Sequence, residues 1–186
     1  MTMPANLKLL DPADIVPDVS NPDADIRLAV ERAEDGAQVD ALVERAFGPG
    51  RYAKVSERVR EGNRRLADLS FCAFGAEMLV GTVRQWPVLV GEARGVFLGP
   101  IAVEGAWRQH GVGGRLIQRC IEAAGEAGEA FILLVGDLPL FGPHGFEPVP
   151  ARRVTMPGPV NPARVLAHPL RSKGFEGAGL ARAPRG

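Results

Sequence analysis

Cysteine, histidine and tyrosine are scarce in this chain, with two, three and one among 186 residues. Cys72 and Cys120 stand in apolar surroundings without metal-ligand spacing, so buried reduced thiols are expected and no metal site. A surplus of charge is missing as well, because Lys plus Arg and Asp plus Glu number 22 each. No overall field draws such a chain toward nucleic acid or an anionic membrane, which leaves a small-molecule or protein partner. No apolar run approaches the ~20 residues of a membrane span. The opening residues carry acids and prolines where a secretory leader has a basic segment and an apolar core, so a cytoplasmic location is expected.

What is present suits a globular protein, 46% hydrophobic and 24% charged, of a length that fills one well-buried domain. Residues 1–24, rich in Pro, Asp and Asn, predict a flexible arm before a domain over 25–157. A Pro-, Gly- and Arg-rich tail over 158–186 is expected to hold a short helix around Ala163–Ala167. Alternation in Ile26, Leu28 and Val30 predicts a first strand, and the spacing of Val39, Leu42, Val43, Ala46 and Phe47 a helix that Gly48-Pro49-Gly50 breaks. A second, charged helix is expected over Tyr52–Leu66, with RVREGNRRL as its solvated face. Runs at 69–74 and 78–90 read as a hairpin about Gly75-Ala76-Glu77. Ala130–Val135 reads as a central strand buried on both faces, Leu138–His144 as a short helix, and Phe146–Met156 as a last strand. The order predicts an α/β arrangement around one mixed sheet.

The segment VFLGPIAVEGAWRQHGVGGR, residues 96–115, joins a strand-like run to three glycines and then to a helix. The helix carries Val112, Leu116, Ile117, Cys120, Ile121 and Ala124 as one apolar stripe. Glycines before a helix let backbone N–H groups approach an anion where the helix dipole also favours negative charge. A P-loop would need Lys and Ser/Thr after the glycines, but Arg115 and Leu116 follow. A Rossmann turn would follow the first strand with Gly-x-Gly-x-x-Gly spacing, and this one does neither.

Arg108-Gln109-His110-Gly111-Val112-Gly113 resembles the (Gln/Arg)-x-x-Gly-x-(Gly/Ala) motif of the GNAT superfamily of N-acetyltransferases. LGPIAV is similar to that superfamily's fourth strand, AFILLVGD to its fifth, and FGPHGF to the short helix and Gly-Phe that follow. The resemblance covers roughly residues 26–156, and with GTVRQWPV it points to a bacterial branch of N-acetyltransferases. It implies a single α/β domain with a mixed sheet of six to seven strands, about four flanking helices, and fourth and fifth strands splayed apart. It also implies acyl transfer from acetyl-CoA or another acyl-CoA to a primary amine of a small molecule or protein, without a metal. Dimers are common in that superfamily.

On this resemblance Ile101, Ala102 and Val103 line the pantetheine arm, and Gln109, His110, Gly111, Val112, Gly113 and Gly114 offer backbone to the pyrophosphate. Arg115 adds charge there, and Arg108 either touches phosphate or pairs with a surface acid. Many members place a tyrosine, acid to the leaving sulfur, where this chain has Phe141. His144 is the substitute donor to consider, against a structural role at a helix end. Glu104 is the candidate base through water, against a solvated strand end. Tyr52, Arg84 and Trp86 fall on elements that line the acceptor side. Phe141 keeps open a second reading, an acyl-CoA-binding sensor with little catalysis; an acyl-carrier-protein donor is a third.

Overall fold

The computed structural model describes residues 26–150, 152–172 and 175–184; the expected arm over 1–24 lies outside them. Nine strands form one mixed sheet in which β1 (Ile26–Val30), β2 (Phe71–Gly75), β3 (Met78–Val90) and β4 (Ala93–Val103) run antiparallel in sequence order. β5 (Phe131–Val135) then pairs parallel with β4, as a strand reached through a crossover helix can.

The crossover is α3 (Val112–Glu126), whose buried Val112, Leu116, Ile117, Cys120, Ala123 and Ala124 recur at three- and four-residue steps. They pack against Ala73, Val83, Val96, Leu98 and Ile132 on one face of the sheet. Contact is close enough that a Cβ on Gly81 would stand 2.8 Å from the Val112 Cγ1. The opposite face takes α1 (Gly36–Phe47) on Cys72, Phe74 and Ala102, and α2 (Val55–Arg60) through Val55 and Val59 near Val88, Phe97 and Leu133. Both cysteines are free and buried, as expected; burial pushes the Cys72 thiol up to about 12, with Glu31 and Asp35 nearby adding to it.

Three expectations are corrected. The second helix is only α2, because a separate 3-10 turn occupies Pro49–Ala53 and Gly62, at φ +66°, ends the run. Residues 146–156 give two short pieces, β6 (Glu147–Pro148) and β7 (Val154–Thr155), not one strand. Pro148 and Pro150 lack the N–H that a continuous ladder needs. Around 163–167 no helix forms: Pro162–Arg164 makes one 3-10 turn, and β8 (Val165–Pro169) lies antiparallel along the whole of β5. β9 (Gly179–Arg182) pairs with β3 and β7, so the region read as a tail supplies two sheet strands. After β5, α4 (Leu138–Phe141) and a 3-10 turn over Gly142–His144 make the expected short helix.

A buried ion cluster ties β1 to β3 and α1. The Glu31 side chain has no solvent exposure and accepts from Arg84, whose Nε and Nη2 donate at 3.0 and 2.7 Å. Arg65 Nη1 lies 2.9 Å from Glu31 Oε2, the oxygen that accepts from Arg84 Nε, and Arg84 Nη1 also donates to Asp40 at 2.7 Å. Removing one partner of such a group leaves uncompensated buried charge. Glu31→Gln is expected to destabilise the fold by about 3 kcal/mol in urea titrations; a loss under about 1 kcal/mol would mean that water screens the cluster.

Candidate functional site

The site begins with a mismatch in the β3–β4 ladder. Val83 pairs with Ile101 and Gln85 with Leu98, so Gly99 and Pro100 together stand opposite the single residue Arg84. Such a bulge bends its strand. Gly99 sits at φ +128°, a conformation L side chains rarely adopt, and its carbonyl accepts from the Trp86 indole Nε1 at 2.7 Å. On the other edge, β4 pairs with β5 only at Val96–Ile132 and Phe97–Leu133. Beyond those pairs the strands part, and Leu98–Ile101 faces Val135–Asp137 across a cleft of about 550 Å³. Arg51, Arg60 and the 53–57 segment close one side, Pro159–Asn161 and Arg164 the outer wall, and Leu140 and Phe141 the end.

The glycine turn lies at the far end of β4, at the start of α3. Gly111 adopts the left-handed conformation, φ +69°, and its carbonyl receives the first intrahelical bond, from Arg115 N–H at 3.0 Å. Among the described residues the amides of Val112, Gly113 and Gly114 have no backbone acceptor. A Cβ on Gly113 would meet only Val103 Cγ2, at 3.9 Å, so the approach to those amides is open. The Val112 side chain is in the core and only its backbone faces the turn; Gln109 is exposed beside it. The His110 ring packs edge-on to Trp107 at 5.7 Å.

The two arginines expected at the phosphates have other partners. Arg115 Nη2 donates to the Ile26 carbonyl at 2.8 Å, fastening β1 to α3. Arg108 Nε donates to the Val103 carbonyl at 3.3 Å. Of the pantetheine candidates, Ile101 lines the cleft, Ala102 is buried against α1, and Val103 is half-buried beside Gly113.

Phe141 does line the cleft, 5% exposed, its ring under Gly136 and edge-on to Phe146 at 5.7 Å. His144 does not: its ring rests on α3, 3.3 Å from where a Gly114 Cβ would be. Glu104 is also outside the cleft, held in an ion pair by Arg45 of α1. Arg84 is consumed by Glu31 and Asp40 and lines no part of the cleft, which corrects its expected acceptor role. Tyr52 is exposed, its hydroxyl accepting from Arg51 Nη2 at 2.6 Å. It joins Trp86 in a second cavity of about 480 Å³.

Sequence reasoning missed Arg51, Glu57 and Arg60. It assigned Arg60, within RVREGNRRL, to a solvated face, yet that side chain is 10% exposed and faces both cavities. The readable signal was Val55 and Val59, four apart and therefore core-facing, with Ser56 and Arg60 next to them on the helix.

The family model described as "Acetyltransferase (GNAT) family" matches residues 37–139, more than half of the chain. The uncharacterized N-acetyltransferase YhbS of Escherichia coli K12 is 31% identical over 123 residues, 64% of this chain and 72% of that protein. The crystal structure of E. coli YhbS in complex with CoA superposes with a TM-score of 0.74 at 26% identity, over 86% of this chain and 90% of that one. A GNAT family acetyltransferase from Brucella melitensis, in complex with acetyl-CoA, gives 0.55 at 26% identity, over 77% of this chain and 95% of that one. The segment that the family model matches holds β2 to β5, where the glycine turn and the splay lie. The chain is a member of the GNAT family of acetyltransferases.

Proposed function

We propose that this acetyltransferase moves an acetyl group from acetyl-CoA to the primary amine of an acceptor that enters beside α2. One observation carries the reading: three unpaired amides at the start of α3 lead along β4 into the gap where it leaves β5. The parts fit the group. An anion at Val112–Gly114 meets amides and the positive end of a helix, with no side chain on Gly113 in the way. An extended arm with amide groups can continue from there along the β4 edge left without β5, as an added strand would. YhbS and the Brucella protein hold CoA and acetyl-CoA respectively, which supports the same ligand here.

Bound in that way, the thioester supplies an activated acyl carbon; the C–N bond forms to the amine and the C–S bond breaks. The chain's contribution is position and exclusion of water: Leu98, Ile101, Val135 and Phe141 wall the gap with apolar surface. Among the described residues no histidine lines the cleft, and the two carboxylates that do, Glu57 and Asp137, stand 3.4 Å from Arg60 and 3.0 Å from Arg164. With both acids held by arginine, the amine reaches the cleft as free base and its second proton leaves to water. Phe141 offers no proton to the departing sulfur, whose thiol titrates near ~8.5 and so leaves as thiolate.

Three outcomes are expected. Calorimetry detects acetyl-CoA binding, and Gly113→Val, which sets a branched side chain before the amides, weakens it at least about tenfold; absence of binding by the unmodified protein would sink the proposal. Below the acceptor amine's own pKa, kcat/KM rises about tenfold per pH unit without a further break between about pH 6 and 9; a break there would reveal a base on the protein. Phe141→Tyr raises CoA release with an amine panel by about tenfold or more if proton delivery limits the rate. Binding without turnover in either protein would favour the sensor reading that Phe141 keeps alive.

A further inference from the structure

The acceptor side of the cleft holds two arginines that the transfer chemistry leaves unused. Arg60 is nine-tenths buried; its Nε donates to the Ser56 carbonyl at 3.0 Å, and its Nη2 lies 3.4 Å from Glu57 Oε1. Among the described residues it makes no other hydrogen bond. Arg51, 18% exposed, has its Nη1 3.8 Å from the same Glu57 oxygen, and its Nε, also sealed from solvent, makes no hydrogen bond although Glu44 Oε2 lies 3.4 Å away. One carboxylate oxygen therefore stands between two guanidinium groups, too far from either for a good hydrogen bond. Burial pushes the Arg60 pKa down, Glu57 opposes that, and the positive charges of Arg51 and Arg84 add to it. Neither guanidinium has a carboxylate at good hydrogen-bonding distance, since Glu44 and Glu57 stand 3.4–3.8 Å away, so both keep donors for an anionic group.

Both arginines also face the second cavity, which adds Arg58, Glu61, Tyr52 and Trp86 and meets the cleft at Pro100, on the bulge of β4. A ligand there has cations on one side and aromatic surface on the other, with the splay in front of it. We infer that this cavity takes a small amine bearing an anionic group, a carboxylate or a phosphate, which Arg51 and Arg60 hold while the nitrogen points past Pro100 into the splay. The inference rests on the acyl-transfer reading and adds to it the chemical class of the acceptor. A forked guanidinium matches either anion with two parallel hydrogen bonds, a partner that a neutral amine does not offer.

The test uses pairs of amines that differ in the anion: phenylalanine against phenylalaninamide, and phosphoethanolamine against ethanolamine. Each is titrated calorimetrically into the full chain holding CoA, with acetyl-CoA affinity measured separately. The anionic member of at least one pair is expected to bind roughly tenfold or more tighter than its neutral partner. Which pair responds tells carboxylate from phosphate. Arg60→Gln is expected to abolish the preference, and Arg51→Gln, on a 3-10 turn with more exposure, gives the same readout if Arg60→Gln does not fold. Equal binding within both pairs, no binding by either anionic amine, or a preference that survives substitution would each overturn the inference with the acyl-transfer reading intact. Failure of the unmodified protein to bind acetyl-CoA would remove that reading and the inference together.

Discussion

Two residue pairs, Val96–Ile132 and Phe97–Leu133, are the whole of the ladder between β4 and β5, and the cleft exists because the ladder stops there. β5 is paired along its full length with β8 on its other edge. β4 is turned by the extra residue at Gly99–Pro100. Backbone groups left unpaired between them carry a desolvation cost unless something extended fills the gap. On the proposed function, the pairing that would have completed an ordinary sheet falls to the acetyl-CoA arm. The Trp86 indole, bonded to the Gly99 carbonyl, holds the bulge in register with β3.

Arginine has contrasting fates within a few residues of this bulge. Arg84, opposite it, meets the fully buried Glu31 in a two-toothed contact and also holds Asp40, so its charge is spent on joining β1, β3 and α1. Arg51 and Arg60 share Glu57 at longer range and face open space. The difference lies in the geometry: Glu31 meets Arg84 in paired hydrogen bonds of 2.7 and 3.0 Å, whereas the Glu57 contacts to Arg60 and Arg51 are 3.4 and 3.8 Å.

That contrast marks how far the sequence could be read. The glycine turn, the α3 stripe and the apolar run of β5 each rest on local spacing, and local spacing is visible in a sequence. Arg84 reads as free because Glu31 is 53 residues away, and nothing local announces that the two will meet. β8 was hidden differently. Val165, Leu166 and Ala167 are too few to show alternation, and the Pro, Gly and Arg around them look like a tail. β5 supplies the reason for a strand there, since a central strand needs a partner on both edges. The proline-broken stretch after Phe146 fails for the opposite reason: apolar content suggested one strand, but two prolines remove the donors it would need.

The placement of β8 also bears on synthesis. A ribosome delivers the glycine turn and both arms of the splay well before residues 159–169, yet the outer wall of the cleft and the second edge of β5 come from those later residues. Until they emerge, β5 is a bare apolar strand with one edge open, the kind of surface that pairs with the wrong neighbour. The nascent domain therefore passes through a stage in which its donor site is largely written but its centre is unprotected, and closure of the sheet by β8 protects the strand and walls the cleft in a single step.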